Sequence, residues 1–378
     1  MNFSNFSRIS THATDHRSTA HQTEGMPRHL LTVLIFALSY AIQPPANTCG
    51  DDFPRIVIGC WQLLERHADE AMAVETLKAY AASGFHVFDT ADIYGRSESV
   101  LGALKNELSE PISIHTKYVT SSAALREARH INTQSRTALG LKPDLVAFHW
   151  WDYADPSFVK AAHHLVTLQS EGKLGRVAAC NFDVEHLKAM VEGGVPIVSN
   201  QVQYSLLDRR PENGMLKYAK QHGIRLATFG VVAGGWLSDA WLGKPAPGRA
   251  AMKTVSMRMY KSRLDAWTGG DWELFQELLR TLRAVADKSG TTIANVAAAW
   301  VLHQLGPDGG WVILGVRDTR HLDEHKALLH HAGVGVEATT GDGTTQLLSE
   351  ADDARIRAVL DKGNAPRGDI WSHERGYA

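Results

Sequence analysis

From residue 54 onward the sequence predicts an α/β fold, a parallel (β/α)8 TIM barrel. Three observations carry that reading. Short apolar runs alternate strictly with amphipathic stretches, the pattern of a parallel sheet with crossover helices. The alternation recurs about eight times in one series, which favours a closed barrel over an open sheet. Polar residues able to do chemistry stand where successive apolar runs stop, on the rim where barrels build their sites.

Each element has a local reason. Arg55 to Cys60 reads as the first strand, and Ala71 to Ser83 is amphipathic and stopped by Gly84. Phe85-His86-Val87-Phe88 is a short apolar run suited to a buried strand. Ser97 opens a helix that reaches Leu108. Ile112 to Thr116 is a strand, and Ala123 to Leu139 is a helix ended by Gly140. Leu145–Phe148, Arg176–Ala179 and the run opening at Ile197 are strands, separated by helices at Ser157–Ser170 and Val184–Val191. Pro211 starts a helix to Gln221, with His222-Gly223 as its stop. Ile224–Phe229 is a strand, Glu273–Asp287 and Ile293–Leu305 are helices, Val312–Leu314 is the last strand, and Thr319–Leu329 is a helix. Two segments break the rhythm. The 234–270 connection is long and aromatic, and it reads as a packed lid loop. The 333–345 segment, rich in Gly and Thr, reads as a surface loop.

The 378 residues suffice for one large barrel or two average domains. A formal net charge of −2 offers nothing to attract nucleic acid or an acidic membrane. The 19 histidines are scattered without a recurring metal-type spacing. The 3 cysteines, Cys49, Cys60 and Cys180, are far apart, so neither a disulfide framework nor paired-cysteine zinc is expected, and no metal is assigned.

Residues 1–53 differ in composition and are set aside from the 54–378 barrel domain as a leader or a disordered extension. Met1 to Gly25 is rich in Ser, Thr and His. Leu30 to Leu38 is apolar but too short to span a bilayer comfortably, Arg28 and His29 precede it, and Ser39-Tyr40-Ala41 resembles a cleavage site. If residues 26–42 are a working leader, secretory or organellar targeting is expected; otherwise the cytoplasm is.

The chemistry concentrates at three strand ends. The 85–88 run leads into Asp89-Thr90-Ala91-Asp92-Ile93-Tyr94-Gly95, Ile112–Thr116 ends in Lys117, and Leu145–Phe148 ends in His149. Singly, each has an ordinary structural role: a loop cap, a packed ring, a solvated ammonium, a satisfied imidazole. Together they form a proton-transfer set. A phenol near pKa 10 is a poor acid at neutral pH. A neighbouring ammonium favours the phenolate, so Lys117 is expected to lower the pKa of Tyr94, with Asp89 holding the lysine. His149 can donate a hydrogen bond to a carbonyl oxygen.

With those residues quoted, residues 54–333 resemble an aldo-keto reductase, a nicotinamide-dependent barrel enzyme. The resemblance rests on Phe88 to Gly95, His115-Thr116-Lys117, His149, Gly172-Lys173-Leu174-Gly175-Arg176, Cys180-Asn181-Phe182 and Asn200-Gln201-Val202-Gln203-Tyr204-Ser205. It implies Tyr94 as general acid–base, with Asp89, Lys117 and His149 completing a tetrad. It implies NADP as cofactor, with NAD as the alternative, and a small carbonyl or alcohol as substrate. Asn181 and Gln201 match the amides that hold the nicotinamide carboxamide, and Phe229 matches the ring that stacks on the nicotinamide. Gly59-Cys60-Trp61 resembles a Gly-Thr-Trp motif, placing Gly59 and Cys60 beside the cofactor. Arg317, His321, Glu324 and His325 share one helix face and match the adenosine end, where a helix N-terminus with an arginine suits phosphate.

Departures from the family pattern stand at His321, His325 and Val231 to Asp239, where the grip on the pyrophosphate is expected to pass to backbone amides or Lys244. Trp61, Trp150, Trp151 and Trp236 follow strands and suit an apolar or aromatic substrate. Arg209 and Arg210 read as the solvated start of a helix. A cofactor-binding regulatory subunit on the same fold is the second reading. A metal-dependent hydrolase ranks last, since no His-x-His follows the first strand. A monomer or small homo-oligomer is expected.

Overall fold

The computed structural model describes residues 53–65, 69–331 and 347–370. The leader read at residues 1–53, apart from Phe53, and the loop read at 333–345 lie outside the described residues. Residues 52–378 belong to one unit, which holds the barrel.

Eight parallel strands close into a barrel in sequence order: β1 (Ile56–Gly59), β2 (Val87–Asp89), β3 (Ser113–Thr120), β4 (Leu145–Trp150), β5 (Arg176–Cys180), β6 (Ile197–Gln203), β7 (Arg225–Phe229) and β8 (Gly310–Gly315). Pairing from Ile56↔Val312 to Gly59↔Gly315 shuts the cylinder. Around it run α1 (Glu70–Ala82), α2 (Ser97–Glu107), α3 (Leu125–Leu139), α4 (Phe158–Ser170), α5 (Val184–Glu192), α6 (Met215–His222), α7 (Val255–Thr268), α8 (Trp272–Lys288), α9 (Ile293–Leu305), α10 (Leu322–His331) and α11 (Glu350–Leu360). Caps set several of their starts. Asp69, Asp183, Thr254, Asp271 and Thr292 each accept a hydrogen bond from a backbone N–H of the first turn, satisfying donors the helix leaves open. Among the described residues no helix is long and apolar enough to cross a membrane.

A strand's period of two sorts side chains between barrel interior and helix layer. Val57, Ala227, Trp311 and Ile313 pack together as one interior group, and Leu145, Ala147, Ala178 and Cys180 as another. Their alternates, such as Ile58, Ile114, Val146, Phe148 and Val177, join the large core under the helices. This parity positions the site, because Asp89, Lys117, His149, Gln201 and Phe229 lie on the interior register.

Phe53 plugs the opposite end. It stacks on Trp311 with ring centres 4.8 Å apart, and the guanidinium groups of Arg176 and Arg225 lie 4.3 and 4.6 Å from its ring centre. His115 sits against the same rings, and burial pulls its pKa down to about 3, so it stays neutral. Phe53 therefore packs with the barrel.

Most expected elements are present with shifted ends. Strand β3 extends past Thr116 to Thr120, and β4 past Phe148 to Trp150, so Lys117 and His149 lie within strands rather than after them. Three differences go further. The 234–270 connection is not one loop: it holds three 3-10 turns and α7. Helix α11 was not anticipated, although Ser349-x-x-Asp352 forms a capping box that marks its start. Arg209 and Arg210 are not solvated, with relative exposures of 8% and 3%. Arg210 grips Asp208 through Nε and Nη2 at 2.8 and 2.7 Å, and its Nη1 donates to the carbonyls of Asp369 and Ile370. It thereby ties the tail of the described chain to the loop after β6.

Replacing Arg210 by Met strips Asp208, itself 2% exposed, of its bidentate partner. Unfolding in urea is expected to lose about 3 kcal/mol of stability, the scale for breaking a buried pair on one side. An unchanged midpoint and slope would show that the strap contributes nothing to stability.

Candidate active site

The described tetrad residues converge at the carboxyl-terminal mouth of the barrel. Lys117 Nζ donates to Asp89 Oδ1 and to the Thr90 carbonyl, each at 2.7 Å, and lies 4.8 Å from the centre of the Tyr94 ring. Asp89 and Lys117 are 6% and 3% exposed. His149 is half-buried on β4 and lines the same cavity as Tyr94, Lys117 and Asp89. Burial by itself would drive the Lys117 pKa down; Asp89 and Tyr94 outweigh it and hold the ammonium above the ordinary lysine value.

One expectation reverses. Burial raises the Tyr94 phenol from 10.0 to about 12, while Lys117 pulls the other way without overcoming it. The ammonium limits the rise rather than producing a net fall. The phenol is therefore protonated at neutral pH.

The loop carrying Tyr94 is pinned by Asp92, a residue inside the 88–95 motif to which the sequence assigns no role. Asp92 Oδ2 accepts from the Val119 N–H at 3.0 Å, tying this loop to β3 two residues beyond Lys117. Its Oδ1 is buried without a hydrogen-bond partner among the described residues, and burial raises its pKa to about 7.

The cavity, of about 890 Å³, runs from the tetrad to the start of α10. Gly59, Asn181, Gln201 and Phe229 line it near the tetrad, and Arg317, His321, Glu324 and His325 line its far end. Asn181 takes a left-handed backbone (φ 61°), a conformation that asparagine tolerates better than most residues, and its N–H donates to the Gln201 carbonyl at 2.8 Å. Gln201 Nε2 donates to Asp89 Oδ2 at 2.7 Å and its Oε1 accepts from Cys180 Sγ at 3.5 Å, so both ends of its amide meet protein groups. At the far end His321 Nδ1 lies 3.0 Å from Glu324 Oε2, and His325 Nδ1 lies 3.0 Å from the Tyr80 hydroxyl. Burial pulls the His325 pKa down to about 4, so its ring is neutral at pH 7.

Strand parity explains the residues that miss the cavity. Cys60 follows inward-facing Gly59, so it turns outward into the core at 1% exposure, where burial and Asp89 push its thiol pKa up. Trp150 follows inward-facing His149 and is likewise enclosed in the helix layer, its Nε1 donating to the Asp152 carbonyl. Trp151 is 48% exposed near the His149 ring but does not line the cavity. Trp236 is buried; its Nε1 donates to the Met257 carbonyl at 2.9 Å and its ring packs on Trp241 at 4.6 Å, so it anchors the lid. Of the four tryptophans expected to meet substrate, Trp61 alone lines the cavity.

The lid supplies residues that sequence reasoning missed. Lys253 and Trp241 line the cavity, whereas Lys244 does not. Gly230 (φ 72°) lets α7 settle over the rim, because a Cβ there would lie 2.5 Å from the Tyr260 hydroxyl. Lys253 carried no motif; only the folding of α7 over β7 brings it to the wall. Among the described residues no cluster of three or more His, Cys, Asp and Glu could hold a metal ion.

A model of the aldo/keto reductase family matches residues 55–332. The chain belongs to the aldo/keto reductase family. It is accordingly a member of a family of NAD(P)H-using oxidoreductases. Flagellar radial spoke protein 5 of Chlamydomonas reinhardtii is 33% identical over 178 residues, which are 42% of this chain and 33% of that protein; the chain therefore spans about a third of that relative. The NADH-specific methylglyoxal reductase of Escherichia coli is 23% identical over 69% of this chain and 85% of its own. Among solved structures, a glycerol dehydrogenase from Gluconobacter oxydans superposes with a TM-score of 0.68 at 20% identity, covering 85% of this chain and 95% of its own. An aldo/keto reductase from Klebsiella pneumoniae in complex with NADP and acetate superposes at 0.61 with 21% identity, covering 84% and 93%. At these identities the two structures establish a shared fold.

In this aldo/keto reductase the raised pKa of Asp92 has a consequence for stability. The native state binds the Asp92 proton more tightly than the unfolded chain does. Its contribution is thus present below the ordinary carboxylate pKa of 3.8 and is lost as pH rises through about 7. Asp92→Asn keeps an acceptor for the Val119 N–H and removes the buried charge. The thermal midpoint of the variant relative to the parent is expected to rise between about pH 4 and about pH 7 and to level off above about pH 8. A difference that does not change with pH would show that Asp92 is not buried as a titrating acid.

Proposed function

We propose that this protein reduces an aldehyde or ketone to its alcohol, or runs the reverse, with Tyr94 as general acid–base and NADP as the preferred cofactor. The observation that carries this reading is the Lys117 ammonium, held by Asp89 at 2.7 Å and lying 4.8 Å from the centre of the Tyr94 ring. The donor set fits a nicotinamide dinucleotide: a buried amide, Asn181, beside the tetrad, the Phe229 ring next along the wall, Lys253 on the wall, and Arg317 at the far end with Arg320, which Asp318 holds at 2.8 Å. When bound, that cofactor supplies a hydride. Those cations favour NADP by offering charge to an additional phosphate, and the Klebsiella protein of the same fold was solved with NADP. NAD stays the alternative, since one relative is NADH-specific.

The chain's own part is to orient the carbonyl and move one proton. His149 Nε2 or Nδ1 can donate to the carbonyl oxygen, withdrawing charge from the carbon. Tyr94, protonated at neutral pH, gives its proton to the oxygen as negative charge develops there. Lys117 stabilises the phenolate left behind, and Asp89 keeps the ammonium in place. In the oxidative direction the same phenolate takes the alcohol proton. Trp61, Ile93 and Met259, 43%, 53% and 41% exposed, present apolar surface on the cavity wall and favour an apolar or aromatic carbonyl compound.

Tyr94→Phe is expected to lower kcat by about 10²–10⁴-fold in assays of NADPH oxidation with a panel of aldehydes, while NADPH binding changes little. A variant as fast as the parent would remove Tyr94 from the acid role. If the parent binds NADPH and turns over no carbonyl, the regulatory reading takes its place. A phenol pKa near 12 predicts a reductive kcat/KM without a Tyr94-dependent loss between about pH 7 and about pH 9. Lys117→Met is expected to raise that pKa further and slow proton transfer.

A further inference from the structure

We propose that the chain after α11 clamps the lid helix: Leu360 to Asn364 hold the carboxyl-terminal end of α7, and that hold sets how fast a dinucleotide enters and leaves the cavity. The proposal goes beyond carbonyl reduction and rests on one part of that reading, the dinucleotide in the cavity.

A helix leaves the carbonyls of its last four residues without partners inside it. In α7 these belong to Asp265, Ala266, Trp267 and Thr268. Two are met close by. The Gly269 N–H donates to the Asp265 carbonyl at 2.8 Å, and the Asp271 N–H donates to the Thr268 carbonyl at 3.2 Å. The other two are met by Asn364, 98 positions after Ala266. Its Nδ2 donates to the Ala266 carbonyl at 2.9 Å and its backbone N–H to the Trp267 carbonyl at 2.7 Å. Trp267 answers in the other direction, its Nε1 donating to the Leu360 carbonyl at 3.0 Å. Gly363 lets the two segments meet, because a Cβ there would lie 2.6 Å from Trp267 Cδ1.

The other end of α7 covers the cavity, which Ser256, Met257, Met259 and Tyr260 line. Tyr260, Leu264 and Trp267 fall at helical spacing on one face, and all three are buried. The two turns from Tyr260 to Trp267 span about 10 Å of stiff helix. Whatever grips Trp267 therefore also seats Tyr260 against Gly230. A second tie runs alongside: Arg263 Nε lies 3.9 Å from Asp208 Oδ2, and Arg210 joins Asp208 to the carbonyls of Asp369 and Ile370. A ligand under α7 passes only when the helix lifts, and the opening of such lids sets many release rates. Lifting α7 strains the bonds at its far end and bares the Trp267 indole.

No described residue after His325 lines the cavity, so the clamp makes no contact with the ligand. Its bonds are worth the same whether the cavity is filled or empty. An interaction of that kind changes the height of the gate and not the affinity. Loosening it speeds entry and exit together.

Full-chain variants test this. Trp267→Phe keeps a ring and removes the bond to Leu360; Gly363→Ala wedges the contact apart. Leu165→Ala is the control, a truncation in the core under α4 at a residue that lines no part of the cavity. Stopped-flow fluorescence with NADPH is expected to show both rate constants raised about fivefold to tenfold in each clamp variant, the scale of one lost hydrogen bond. The NADPH dissociation constant should move by less than about twofold. In the protein without NADPH, amide exchange of α7 is expected to quicken by a similar factor while β3 and β4 keep their protection. Leu165→Ala should lower the thermal midpoint and leave both rate constants as they are.

Unchanged exchange in α7 overturns the proposal, because the tail then does not hold the helix. Quickened exchange with unchanged NADPH rates overturns it as well, leaving the tail a structural support without a gating role. A dissociation constant raised about tenfold with association unchanged points to a lost ligand contact and also sinks it. Should a clamp variant fail to melt cooperatively, Asn364→Ala, at an exposed position, carries the same expectations. A parent that binds no NADPH overturns the dinucleotide reading and the gate with it, and the exchange comparison separates that outcome from a clamp that does not hold.

Discussion

A buried ion pair organises this protein. Lys117 and Asp89 sit inside the mouth of a closed barrel, where removing two charges from water costs several kcal/mol for each ion. The cost is offset because every strong partner is present: Asp89 Oδ1 and the Thr90 carbonyl for the ammonium, Gln201 Nε2 for the second carboxylate oxygen. Taking away one partner leaves a charge with nowhere to go. The geometry around Tyr94 is therefore set by electrostatic necessity as well as by packing, and the loop from Thr90 to Tyr94 follows the position of the pair.

Parity along the strands decides which residues join that pair. The barrel interior admits alternate residues only, so Gly59, Asp89, Lys117, His149, Gln201 and Phe229 face one cavity while their neighbours Cys60 and Trp150 are turned into the helix layer. The helix layer is apolar and close-packed, and there a thiol and an indole find ordinary core environments. At the other end of the cylinder Phe53 stacks on Trp311, and neutral His115 packs edge-on against Phe53, closing the interior. The cavity thereby opens at one face of the barrel.

The lid shows where sequence reasoning stopped. Its aromatics announce that it packs, and Trp236 and Trp241 do cluster with Trp272 and Phe275 of α8. Aromatic content does not say which ring faces substrate and which anchors the segment. That depends on α7, whose Tyr260 leaves no room for a side chain at Gly230, and whose approach carries Lys253 rather than Lys244 to the cavity wall. Arg210 differs from its expected solvated place for a related reason. A charged pair of arginines beside a proline looks solvated in one dimension, and it is buried because a carboxylate two residues earlier and two carbonyls about 160 residues later close around it.

By itself the sequence determined the barrel, the order of its strands, and four polar residues placed on one rim. Those properties are local: alternation of apolar runs sets the fold, and a polar residue at the end of a run sets the rim. Tertiary structure alone decided three things: which side of each strand faces the cavity, what Gln201 and Asp92 hold, and whether Tyr94 becomes more or less acidic. The last turns on a balance between burial and the Lys117 charge, and burial is a property of everything packed around the ring, which no spacing of residues along the chain records.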